Sequence, residues 1–220
     1  MEEYELPLFP LHTVLFPGQT LPLHIFEPRY RQMIADCLAS DRTFGVVLIR
    51  EGAEVGGPAT PCEVGTTAII QDVERLDDGR MNIVTVGHER FRLQAYDDGA
   101  KPYLVGRVIT YPWQEQDRVE QSLVRVVQRR LERYVDLFAQ ASDSDFYVDL
   151  SFQHPSALAA LAAVILQITP QQKQSLLEIP SVDELLHNMA QLLVQENRAL
   201  QIALASSHLQ AKMHNSFSLN

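Results

Sequence analysis

The distribution of glycine constrains this chain more than any other feature. All ten glycines lie between Gly18 and Gly106, and the last 114 of the 220 residues contain none. Nine of the twelve prolines also fall at or before Pro112. Glycine and proline punctuate turns, so a turn-rich half precedes a turn-poor one. The chain is therefore expected to build a β-rich domain over residues 1–113 and an α-helical domain over 114–220, an α+β class. With 46% hydrophobic residues it has enough apolar side chain for an ordinary core without staples.

The first half carries short strand signals. Glu5–Phe9 is an apolar run closed by Pro10, and Val14-Leu15-Phe16 runs into the turn Pro17-Gly18. Leu21–Phe26 contains Pro22, which marks a strand start or an edge. Tyr30, Met33, Ile34, Cys37 and Leu38 follow Pro28 at spacings of three and four, which predicts one inserted helix ending near Ser40. Phe44–Ile49 reads as a buried strand, and Arg50–Pro61, with three glycines and two prolines, as a loop. Asp77-Asp78-Gly79 between two strand-like runs predicts a hairpin with a type I′ turn, and Asp97-Asp98-Gly99 a second turn. Tyr103–Tyr111 completes an antiparallel meander that Pro112 ends.

The second half is helical in pattern. Val119 to Phe138 repeats apolar residues at helical spacing. Ala157–Ile168 has few polar positions and reads as a buried helix. Thr169-Pro170-Gln171-Gln172 and Ser181-Val182-Asp183-Glu184 are capping boxes, the second opening a helix that should run past residue 200.

Function classes are narrowed mainly by exclusion. Eighteen basic against 28 acidic side chains give a net charge of -10, which disfavours nucleic acid and anionic membrane as partners. No Gly-Lys pair, G-x-S-x-G or H-E-x-x-H sequence occurs. Seven histidines and two cysteines show no metal-ligand spacing, so no metal, cofactor or catalytic residue is expected. None of Lys101, Lys173 and Lys212 reads as a buried lysine of a serine–lysine dyad. Arg118, Arg125, Arg129 and Arg133 form one stripe, balanced by Glu120, Glu132 and Asp136, and read as a solvated helix face. The acidic N-terminus, the lack of a long apolar span and the two unpaired cysteines point to a cytoplasmic protein.

Three stretches carry a resemblance. Glu5-Leu-Pro-Leu-Phe-Pro-Leu11, Leu15-Phe-Pro-Gly18 and Pro22-Leu-His-Ile-Phe-Glu-Pro-Arg-Tyr-Arg31 resemble the N-terminal domain of the ATP-dependent Lon protease. Val64-Gly-Thr66, Asp78–Ile83 and Gly87–Leu93 fit the same pattern, as do Lys173–Glu178 and the leucine-rich helix after Val182. The resemblance implies a six-stranded PUA-like β-barrel with an inserted helix, followed by a helical bundle with a long last helix. It implies a non-catalytic module that recognises exposed or unfolded protein segments, or a protease or chaperone partner. The same domain occurs as a stand-alone bacterial protein and in cereblon, a ubiquitin-ligase receptor. The family's ATPase and peptidase lie in later domains, which this chain is expected to end before.

Candidate binding residues are Phe26, Glu27, Arg29 and Tyr30 at the strand–helix junction, and Glu54 and Val55 in the 50–61 loop. Core packing is the first expectation for Phe26 and Tyr30, and helix capping for Glu27 and Arg29. RNA binding, known for PUA-like barrels, and an unrecognised small-molecule or enzymatic site remain the alternatives, and oligomeric state is left open.

Overall fold

The structure is a computed structural model that describes residues 3–54, 59–114, 119–142, 148–149 and 154–217, with side chains as far as residue 206. The chain divides into two compact units. One comprises Met1–Gln114 and Ala163–Pro180, the other Glu115–Ala162 and Ser181–Asn220.

The first unit is built from strands β1 (Glu3–Leu11), β2 (Thr20–Ile25), β3 (Thr43–Gly52), β4 (Ala59–Pro61), β5 (Val64–Arg75), β6 (Met81–Asp97) and β7 (Leu104–Thr110), with helix α1 (Pro28–Leu38) between β2 and β3. The sheet runs β1-β7-β6-β5-β3-β4, and β1 also pairs with β3, so five strands close on themselves. Every pairing is antiparallel except β1–β3, which is parallel. A parallel neighbour needs a long crossover, and β2 and α1 supply it. The 17-residue β6 serves two partners on one side, β2 along Met81–Val86 and β7 along Phe91–Asp97.

Pro10 lies inside β1 rather than after it, because each proline of this strand meets a neighbour on one side only. Pro7 is paired with Val105 of β7, and Pro10 with Val47 of β3. Leu8 alone in β1 is matched on both sides, to Leu104 and Gly45. A proline lacks the amide hydrogen for a second ladder, so the handover at Leu8 makes room for both.

The Asp77–Gly79 hairpin differs from the type I′ expectation. Only Gly79 of the three has positive φ, at 79°. Its amide donates to the Leu76 carbonyl at 2.9 Å, and the Leu76 amide donates to the Arg80 carbonyl at 2.9 Å. This is a three-residue loop closed by a left-handed glycine, which spares both aspartates a strained backbone. The 50–61 loop is likewise partly strand, with Gly52 paired to Ala59 and Glu51 to Thr60.

The barrel interior holds Phe9, Tyr30, Met33, Ile34, Cys37, Phe44, Ile70 and Ile83, with Leu6, Leu8, Val47, Phe91 and Val108 in an adjoining cluster. Helix α4 (Pro170–Glu178) belongs to this unit and opens with the predicted Thr169/Gln172 capping box. Buried Gln174 donates to the Val64 carbonyl at 2.9 Å. Arg90, 2% exposed, donates to the carbonyls of Leu177 and Ile179 at 2.5 and 2.8 Å. Its guanidinium lies 4.7 Å from the Tyr111 ring and 4.2 Å from the Trp113 ring. Arg90 thus takes up the orphan carbonyls at the α4 C-terminus, and aromatic faces compensate its buried charge. Lys173 is half-buried, contrary to expectation, and donates to the Val164 carbonyl at 3.1 Å.

The second unit contains α2 (Gln121–Ser142), most of α3 (Pro155–Ile165) and the 36-residue α5 (Val182–Phe217). Arg130 donates to the Ala190 carbonyl at 2.7 Å, and Asn197 to the Arg130 carbonyl at 3.0 Å, cross-linking α2 and α5. Arg125, Arg129 and Arg133 are exposed, and Arg118 lies outside the described residues. Among the described residues, no helix is long and apolar enough to cross a membrane.

Candidate functional site

The junction between β2 and α1 is set by Glu27-Pro28. Glu27 is extended at φ -70° and ψ 135°, and Pro28 begins the helix, where its missing amide hydrogen costs nothing. Glu27 makes no side-chain cap bond. Its carboxylate instead accepts from Arg29 Nε at 3.0 Å. Arg29 Nη2 donates to the Glu54 carbonyl at 2.9 Å, and the Glu54 carboxylate accepts from the His12 amide. Four of the sequence-selected residues, Glu27, Arg29, Tyr30 and Glu54, are therefore one cluster. Val55 lies outside the described residues.

The two aromatic candidates separate. Tyr30 is 5% exposed, packs on Phe9 with ring centroids 4.1 Å apart, and carries the Arg29 guanidinium 4.5 Å above its face. Burial pushes its hydroxyl pKa up to about 12, so the ring is neutral. Phe26 is 48% exposed and is not in the core. It precedes the helix on the side where β2 faces outward, stacked against His24 at 6.1 Å.

Arg29 and Tyr30 form part of the wall of a groove of about 290 Å³. Pro10, Thr60 of β4, Tyr96, Asp98 and Tyr103 complete most of the lining. The connection from β6 to β7, which brings Asp98 and Tyr103 here, is tied to α1. Tyr103 Oη donates to Asp36 Oδ2 at 2.6 Å, and Lys101 Nζ reaches the same oxygen at 3.2 Å. The Tyr103 hydroxyl in particular holds the Asp36 carboxyl below the usual carboxylate range, while burial and Asp36 raise the Tyr103 pKa. Asp97 Oδ1 accepts from the amides of Gly99 and Ala100 at 2.7 and 3.1 Å, shaping the same connection.

Tyr96, Asp98 and Tyr103 were missed by sequence reasoning. One signal was available for Tyr96. The register shift between Leu93 and Ala95 interrupts the alternation of Phe91, Leu93 and Ala95 with Arg90, Arg92 and Gln94 and leaves Ala95 exposed, but the sequence pattern still puts Tyr96 on the polar face. It is 43% exposed. Chemically the groove offers the rings of Tyr30, Tyr96 and Tyr103, the Arg29 guanidinium and the Asp98 carboxylate. Among the described residues no group of three His, Cys, Asp or Glu side chains could hold a metal ion.

Comparison with known proteins gives the family. The profile of the ATP-dependent protease La (LON) substrate-binding domain matches residues 5–195. Lon protease 1 of Thermus thermophilus is 31% identical over 199 residues, 87% of this chain and 25% of that protein. The Lon protease of Syntrophus aciditrophicus is 27% identical over 215 residues, 94% of this chain and 27% of that protein. The chain thus spans about a quarter of the length of these relatives. The crystal structure of a Lon N-terminal domain protein from Xanthomonas campestris superposes with a TM-score of 0.66 at 28% identity, covering 84% of this chain and 96% of that one. The N-terminal domain of the Mycobacterium avium complex Lon protease, at 21% identity and a TM-score of 0.64, shares the fold. With a profile match that covers most of its length, the chain belongs to the ATP-dependent protease La (LON) substrate-binding domain family.

Proposed function

We propose that this chain is a non-catalytic recognition module whose barrel unit receives exposed or unfolded segments of other proteins in the groove between α1, β4 and the β6–β7 connection. The observation that carries the reading is the convergence on one open groove of Arg29 and Tyr30, from the Pro22–Arg31 motif, with the rings of Tyr96 and Tyr103. Aromatic rings bury large area at low entropic cost, which suits a surface that must accept many segments. A protease or chaperone that takes over the held segment is the natural partner in this reading. Two free cysteines suit a reducing cytoplasmic setting.

The test is titration of the full chain against a reduced and carboxymethylated model protein, followed by fluorescence anisotropy. Binding in the micromolar range is expected, weakened about fivefold or more, roughly 1 kcal/mol, by Tyr96→Ala. Arg29→Ala should weaken it as well, by releasing the Glu54 carbonyl and the face of Tyr30. No binding by the wild type at tens of micromolar contradicts the reading.

A further inference from the structure

The groove adjoins a second hollow of about 520 Å³, and Tyr96 and Tyr103 border both. The second is floored by Pro7, Val105 and Gly106 and edged by Glu5, Asp97, Lys101 and Arg107. Counted by lining alone, the two hollows are balanced in charge. Counted by what each charge already touches, they are not. Arg29 is paired with Glu27 at 3.0 Å, Lys101 with Asp36 at 3.2 Å and Arg107 with Glu3 at 3.4 Å. Each bordering cation therefore has a carboxylate of its own, supplied from outside the lining.

The carboxylates that edge the hollows are placed differently. Glu5 stands opposite Arg107 in the β1–β7 register, yet the guanidinium turns to Glu3. Asp97 is held by two backbone amides, which keep it charged. Asp98 is exposed beside Tyr96. Among the described residues none of the three forms an ion pair. The rim thus presents an excess of negative charge next to the open face of an aromatic ring. Residues 1–113 as a whole carry 10 basic and 16 acidic side chains, so the long-range field has the same sign.

We propose that this trough selects extended protein segments carrying lysine or arginine beside an apolar residue. The inference rests on the reading that the groove receives protein segments, and names which of them it prefers. The aliphatic stem of the incoming side chain lies along Val105 and the Tyr96 ring, and its cationic head meets Asp98, Asp97 or Glu5. The neighbouring apolar residue of the segment takes the pocket between Tyr30 and Tyr103.

The experiment titrates the full chain with two labelled, unstructured peptides of equal length and apolar content. One bears two lysines beside a leucine and the other bears glutamates at those places. At low salt the lysine peptide is expected to bind about tenfold tighter. The preference should shrink towards unity in Glu5→Gln/Asp98→Asn and at about 0.5 M salt, where screening shortens the reach of these charges. Asp98→Asn alone should remove part of it, and thermal melting of both variants should match the wild type because the side chains are exposed. Equal affinities, or a preference untouched by either variant, overturn the inference while groove binding stands. Failure of both peptides to bind overturns it too, and if the carboxymethylated protein is also not bound, the groove reading falls with it.

Discussion

Neighbouring aromatic residues with the same sequence character have opposite fates here. Phe26 and Tyr30 both looked like core. Helical phase turns Tyr30 inward with Met33, Ile34 and Cys37, whereas Phe26 lies between the end of β2 and the start of α1 and stays exposed. The chemistry of Asp36 is a second single-residue effect. Its folded pKa is lowered by the Tyr103 hydroxyl, with Lys101 and Gln32 adding to this, so it stabilises the fold above its unfolded value, near 4. That contribution is lost as pH falls through the lowered folded value. The Tyr103 pKa is raised, so its contribution is complete below the ordinary tyrosine value, near 10, and is lost at higher pH. The clamp on the 98–103 connection therefore holds across the neutral range. Asp36→Asn should flatten the acid limb of a stability-versus-pH curve and speed amide exchange at residues 99–104. An acid limb identical to the wild type would show that Asp36 does not carry it.

At the scale of elements, much of the fold could be read from the sequence, and the failures have identifiable causes. Helix α1 and the capping box of α4 were legible because proline, capping residues and three-four spacing are local signals. The parallel β1–β3 pairing was not, since nothing local distinguishes a strand that closes a ring from one in a meander. The glycine pattern turned out to mean two things. Gly79 serves a turn, but Gly65 serves packing. A Cβ built there would lie 2.5 Å from the Val46 carbonyl oxygen and 2.6 Å from Phe91 Cζ. Gly65→Ala must displace a strand or a buried ring, and is expected to cost about 2 kcal/mol or more in denaturant unfolding. Gly99→Ala, where the nearest atom is an Asp97 carboxylate oxygen at an ordinary contact distance of 3.5 Å, should cost well under 1 kcal/mol. Equal costs at the two sites would contradict the packing account. The groove was only half legible. Arg29 and Tyr30 come from the motif singled out by sequence, while Tyr96 and Tyr103 arrive from about 70 residues away through the β6–β7 connection.

For the whole molecule, the break in composition near residue 112 marks where strands give way to helices, but the chain does not sort as simply. Residues 163–180 group with the strands, held by Gln174 on Val64 and by Arg90 on the end of α4. The barrel unit is thus completed by sequence lying far beyond its last strand, a long-range contact that no local pattern announces. Its role as a binding surface is the central claim, and hydrogen exchange of the full chain with and without a carboxymethylated client protein tests it most directly. Slowed exchange is expected at Ala59–Thr60, at Tyr96–Leu104 and in the first turn of α1 when the client is present. Protection confined to other segments, or no change at client concentrations of tens of micromolar, would contradict it.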